Sequence, residues 1–160
     1  TNSATNTKTA IGTFEIDGAN GKAFLGFPTE VSEYYPLSSS STLSFHSQRM
    51  LGSTNSLTLT LFVDAGCDGV FSPASDAVVS FNVTPNITYT LDQSTPISSI
   101  TNGNLAGISA GSPFSTLSGK CLINTEMADV EYPANKKLAG LMIVVGSNVS
   151  YEISDVDIRF

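Results

Sequence analysis

The sequence has no tryptophan, one histidine, two cysteines and few charged residues. Each shortage removes a class of function. Sugar clefts and flat lectin platforms stack rings on Trp or Tyr, so the lack of Trp argues against a glycoside hydrolase and against a platform lectin. A Ser–His–Asp triad would have to use His46, in LSFHSQRM, and no G-x-S-x-G elbow is present to supply the nucleophile. Zinc takes three or four His, Cys or carboxylate ligands, more than one histidine and two paired cysteines provide. The carboxylates that lie close together, Glu126, Asp129 and Glu131 and also Glu30 and Glu33, read as solvated turn acids. Seven basic residues face 14 acidic ones, for a net charge of −7, and Lys136-Lys137 is the one cationic pair. Phosphate backbones need clustered cations, which excludes nucleic acid as a partner. No run of 18 apolar residues occurs, so no helix of this chain is expected to span a membrane. The expectation is a protein that binds or assembles and is not an enzyme.

What is present is a chain of 160 residues, enough for one domain with a sizeable core. Charged residues make up 13%, about half the usual share. Ser, Thr and Asn replace them, as in TNSATNTKTA and PLSSSSTLS. Such surfaces are common outside the cell. The first residue is Thr1 and no hydrophobic leader follows, so a mature chain freed of a signal peptide and placed at the cell surface or beyond is expected. In that setting Cys67 and Cys121 are expected to form a disulfide. The loop it closes, of about 55 residues, corresponds to roughly 4 kcal/mol in chain-entropy models.

Alternation with a period of two is the main structural signal. Leu57, Leu59, Leu61 and Val63 alternate with Thr58, Thr60 and Phe62; Val79, Phe81 and Val83 alternate with Ser80, Asn82 and Thr84. Ile87, Tyr89 and Leu91 continue the pattern. Val149, Tyr151 and Ile153 share one phase, and Val156, Ile158 and Phe160 the other. The slip near Ser154-Asp155 predicts a β-bulge. Shorter strands are expected at Thr13–Ile16, Ala23–Phe27, Leu43–Phe45, Cys121–Ile123 and Val130–Tyr132. The continuous apolar run Leu138–Val145 reads as a strand buried on both faces, or as the start of a helical turn. Residues 93–120 read as a long loop with one short element at Ile97–Leu105. Thirteen glycines and seven prolines punctuate these runs. The pattern predicts an all-β, antiparallel, two-sheet β-sandwich or jelly roll with an extended N-terminal strand. It divides into a tail, 1–12, and one sandwich domain, 13–160.

The most specific local motif is VDAGCDGVFSPASDAVV, residues 63–79. Asp64, Asp68, the Val70 carbonyl, Ser72 and Asp76 are a candidate Ca²⁺ ligand set, because calcium wants six to eight oxygens around a loop that glycine lets turn sharply. Two departures from an EF-hand-type spacing are Gly66 at the third position and Ser75 at the twelfth. The alternative is a turn in which Asp64 and Asp68 cap backbone N–H groups. Three Asn-x-Ser/Thr sequons place candidate glycans at Asn82, Asn86 and Asn148. Tyr34-Tyr35 is a candidate stacking pair.

The tail TNSATNTKTAIG has no proline and one charge, Lys8, and is too polar to fold alone. Extended, twelve residues reach roughly 40 Å. Thr1, Ala4, Asn6, Lys8, Ala10 and Ile11 are the candidate contacts of a strand added to a neighbouring subunit's sheet. The alternative is an edge strand of its own domain. With the segment TNSATNTKTAIGTFEI, the Thr- and Ser-rich sandwich and the scarcity of charge, the layout resembles donor-strand-type extracellular filament subunits. These are the β-sandwich pili and threads of archaea and the TasA-like biofilm fibres of bacteria. The resemblance implies that the tail of one subunit completes the sheet of the next in a homopolymer, and implies no catalytic residue. The competing expectation is a secreted binding module or adhesin that recognises a glycan or a protein.

Overall fold

A computed structural model describes residues 7–28, 34–38, 40–66, 69–74, 76–101, 105, 108–118, 120–122, 131–135 and 137–159, with the backbone alone for 7–11, 27–28, 35, 120–122 and 131–135. The described residues form twelve strands: β1 (Thr7–Asp17), β2 (Ala23–Pro28), β3 (Tyr35–Pro36), β4 (Thr42–Leu51), β5 (Leu57–Asp64), β6 (Ala77–Asn82), β7 (Thr88–Leu91), β8 (Ser99–Thr101), β9 (Lys120–Leu122), β10 (Glu131–Asn135), β11 (Lys137–Val145) and β12 (Ser150–Arg159). A 3-10 turn at Phe114–Leu117 is added to them.

One sheet runs β1-β12-β4-β7 and the other β2-β11-β5-β6-β8, with β3 also pairing β11; β9 and β10 form a separate ribbon. β2 and β3 lie end to end on one side of β11, opposite Gly140–Val145 and Lys137–Leu138 respectively. All pairings are antiparallel. The all-β two-sheet sandwich expected from the alternation is the fold.

The alternation works because each strand offers one face to a shared core. Leu57, Leu59, Leu61 and Val63 of β5 meet Phe45 of β4 and Tyr151 and Ile153 of β12 in one buried cluster. Thr58 and Phe62 stand on the outer face of β5, half-buried. The phase slip in β12 is a bulge. Asp155 takes φ +54°, the register with β4 shifts between Ser154 and Asp157, and Val156 and Ile158 return to the core side. On the other flank of β12 the register with β1 shifts between Ala10 and Thr13, at Gly12 with φ +119°.

Three expectations need correction. Leu138–Val145 is a strand, but it is not buried on both faces: Ala139, Met142 and Val144 are half-exposed. Ile87 does not share the inward face of Tyr89 and Leu91. Asn86 turns in the left-handed region at φ +65°, β7 starts after it, and Ile87 is left 50% exposed. Residues 93–120 hold the expected short element, β8 at Ser99–Thr101, but their described residues are more than a loop. Ile97, Leu105, Phe114 and Leu117 are buried, and the Phe114 ring packs edge-on against Phe81 at 5.9 Å. The segment closes one side of the core.

Two turns carry carboxylates that folding makes more acidic. The Ala19 backbone N–H, and then the Ser150 hydroxyl, hold the Asp17 carboxyl below its ordinary value. The hydroxyl and N–H of Ser94, 2.7 and 2.9 Å away, do the same for Asp92. A carboxylate with a lowered folded pKa stabilises the fold fully above its unfolded value, about 3.9, and less as pH falls through the folded one. The urea midpoint is therefore expected to decline as pH drops below about 4, and Asp17→Asn and Asp92→Asn should each flatten that decline. Acid arms of unchanged slope would remove these groups from the pH dependence.

Candidate functional site

The loop between β5 and β6 is held from inside. Asp64 ends β5 and Asp76 precedes β6, and each is 1% exposed. Asp76 Oδ1 accepts from the Gly66 N–H at 3.0 Å, and its Oδ2 from the Ser72 N–H at 2.7 Å. Asp76 in turn donates its own N–H to the Ser72 carbonyl at 2.8 Å. Asp64 Oδ2 accepts from the Gly69 N–H at 3.0 Å. Ser72 is half-buried and Val70 is 54% exposed. Both aspartates thus cap backbone N–H groups; of the capping pair expected as the alternative to calcium, Asp64 is seen in that role and Asp76 adds to it. Asp68 lies outside the described residues. Among the described residues no group of three or more His, Cys, Asp or Glu side chains is placed to share a metal ion. Cys67 also lies outside the described residues, and of Cys121 only the backbone in β9 is described. The expected Cys67–Cys121 bond is therefore outside them too.

The N-terminal segment has a place in the chain's own sheet. β1 lies at the edge next to β12, with Lys8 opposite Ile158 and Ala10 opposite Val156. Ile11 falls in the register shift. One strand, β1, spans the expected tail–domain boundary between Gly12 and Thr13, with a bulge at Gly12. Thr1, Ala4 and Asn6 lie outside the described residues.

The three sequon asparagines are exposed. Asn86 and Asn148 take φ of 65° and 63°, and Asn86 Oδ1 accepts from the Arg49 N–H at 2.7 Å. The His46 ring nitrogen lies 3.4 Å from Thr88 Oγ1. Glu126 and Asp129 lie outside the described residues, and Glu131 opens β10.

The outer face of the larger sheet holds a feature the sequence reading missed. A hollow of about 390 Å³ is lined by Phe24 and Gly26 of β2, Phe62 of β5, Met142 of β11, and Tyr34 and Phe71 from loops. Phe71 meets Phe62 edge-on at 5.4 Å, and its N–H donates to the Tyr34 hydroxyl at 3.1 Å. Tyr34, half of the expected stacking pair, is therefore part of this wall. Phe24 stands at 68% exposure, the highest of the large apolar side chains exposed among the described residues. A usable signal was present: β2 reads AFLGFP, with apolar residues on both faces, and Phe62 interrupts the hydroxyl face of β5.

Compared with known proteins, the chain matches no family model. No curated protein matches its sequence significantly.

Proposed function

We propose that the protein is a structural subunit of an extracellular filament, assembled with copies of itself by exchange of β1, and that it is not an enzyme. The observation that carries this reading is the position of β1. It lies at a sheet edge, and among the described strands its neighbour in the sheet is β12 alone. Gly12 interrupts it at φ +119°, with nothing within 4 Å of the space a Cβ would take. An edge strand with a pliable midpoint can leave its own β12 and make the same bonds on a neighbour's. Because β1 already pairs within its own chain, assembly requires exchange, not the filling of an empty groove. The polar, weakly charged surface supports an extracellular setting.

The register supplies the test. Ala10 lies opposite Val156, so Ala10→Cys/Val156→Cys chains, one batch ¹⁵N-labelled and one not, are mixed, concentrated and oxidised. Peptides cross-linked between positions 10 and 156 are expected to include mixed-isotope pairs, which arise only between chains. Cross-links confined to single-isotope pairs would sink the exchange reading.

A second reading, a secreted binding module or adhesin for a glycan or a protein, is favoured by the aromatic hollow around Phe24. Its nearly all-carbon lining suits an apolar protein side chain better than a sugar hydroxyl face.

A further inference from the structure

Sheet edges offer unpaired N–H and C=O groups, and proteins usually guard them with charge, proline, bulges or brevity. Most edges among the described strands follow that rule. β7 has four residues and β8 three. β3 has two residues, one of them Pro36. β1 is long, but it carries Lys8, Glu15 and Asp17 and is broken at the Gly12 bulge. The β9–β10 ribbon carries Lys120 and Glu131. β2 is the exception among the described residues. It has six residues, AFLGFP, none charged, and no described strand pairs with its outer side.

The side chains of β2 are also complementary to themselves. Phe24 and Gly26 both stand on the outer face, opposite Val144 and Met142 of β11. Phe24 is a projecting ring; Gly26 is a gap in the floor of the apolar hollow. The space above Gly26 is open, because a Cβ there would meet only the Phe24 ring of the same chain, at 3.8 Å. When two copies of a strand pair antiparallel about a two-fold axis through residue i, residue i−1 of each lies opposite residue i+1 of the other. With Leu25 on the axis, each Phe24 lies opposite the other copy's Gly26.

We propose that β2 is a self-association edge: two copies pair antiparallel through Ala23–Phe27, with Leu25 on the two-fold axis, and each Phe24 ring covers the glycine and enters the hollow of its partner. Aromatic rings placed across a strand pair from glycine shield its exposed backbone. Pro28, which has no N–H, falls just beyond the paired span, where its missing donor costs nothing. The half-buried Leu25 side chains meet on the inner face, next to the core. No charge on β2 opposes the contact, although the chain as a whole carries −7. An isologous contact needs one patch that fits itself, and a ring and a gap two residues apart provide it. β1 and β2 belong to different sheets but approach each other at the side of the sandwich, so the test must hold β1 in place.

Sedimentation velocity across a concentration series tests the idea on the full chain. Wild type is expected to shift from monomer to dimer. Phe24→Lys is expected to weaken the dimer at least roughly tenfold, with an unchanged thermal midpoint at concentrations where wild type is monomeric, because residue 24 is largely exposed there. Gly26→Val, which fills the gap, should weaken it as well. Ala10→Cys/Val156→Cys chains cross-linked only within themselves should still dimerise, which separates this edge from β1 exchange. A wild type that stays monomeric throughout, or a dimer that survives Phe24→Lys, overturns the proposal. So does binding of the apolar probe 8-anilinonaphthalene-1-sulfonate that depends on Phe24 and stays the same across the concentration series, since the hollow would then remain open to a small ligand.

Discussion

Asp76→Ala is expected to lower the free energy of unfolding by about 3–5 kcal/mol, because hydrogen bonds to a charged acceptor are worth about 1.5–3 kcal/mol each and two are lost together. Both carboxylate oxygens accept from backbone N–H groups, those of Gly66 and Ser72. At 1% exposure, water cannot take the place of the lost acceptor without opening the loop. Asp76→Asn keeps one acceptor oxygen and replaces the other with a donor aimed at an N–H, so it should recover less than half of the loss. Urea unfolding of the three proteins measures this, and a cost below about 1 kcal/mol for the alanine variant would contradict the capping role. The same proteins examine calcium. If Asp64, Asp68, the Val70 carbonyl, Ser72 and Asp76 hold the ion, calcium should raise the unfolding midpoint of wild type and not of Asp76→Asn. If the aspartates serve only as caps, calcium should leave both midpoints where they are.

The loop also marks where a one-dimensional reading reaches its limit. Asp64 and Asp76 are visible in the motif as residues with a task, because acids and glycines crowd between two apolar strands. Whether they face an ion or a row of N–H groups depends on how the backbone of 65–72 turns, which side-chain spacing does not encode. The strands were easier. Leu57 to Val63 and Tyr151 to Ile153 alternate because one face packs and the other does not, and the phase slip at Ser154-Asp155 is the bulge itself. Where both faces of a strand are apolar, period two loses its meaning. β2 and β11 are of that kind, so AFLGFP marks a strand apolar on both faces without telling which face is covered, and Leu138–Val145 reads as buried on both faces. The partner of β1 was equally hidden. Polar alternation in TNSATNTKTA is compatible with any sheet edge, in the same molecule or another, and pairing with β12 is a property of the fold, not of the segment.

Gly18→Ala is expected to cost more than about 3 kcal/mol, although the residue looks like an ordinary turn glycine in sequence. The turn after β1 and the turn between β11 and β12 lock together at this point. The Gly18 N–H donates to the Val149 carbonyl at 2.9 Å, and the Asn148 N–H donates to the Gly18 carbonyl at 2.7 Å. A Cβ on residue 18 would collide with the carbonyl oxygens of Gly146 and Val149. Both are backbone atoms, so no side-chain rotation relieves the clash, and the two turns must separate. Separation breaks both hydrogen bonds, each worth about 1 kcal/mol, and adds overpacking strain of about 1–3 kcal/mol. It also pulls on Asp17, which accepts from Ser150 at 2.8 Å across the same junction. Gly21→Ala is the control. It sits in the same turn at φ +139°, with nothing within 4 Å of its added Cβ, so it should cost only the backbone strain of that φ, of order 1–2 kcal/mol. Denaturant melts of the two variants side by side decide the matter. If Gly18→Ala is no worse than Gly21→Ala, the junction does not hold β1 to the sandwich, and exchange of that strand would then meet no resistance from its C-terminal end.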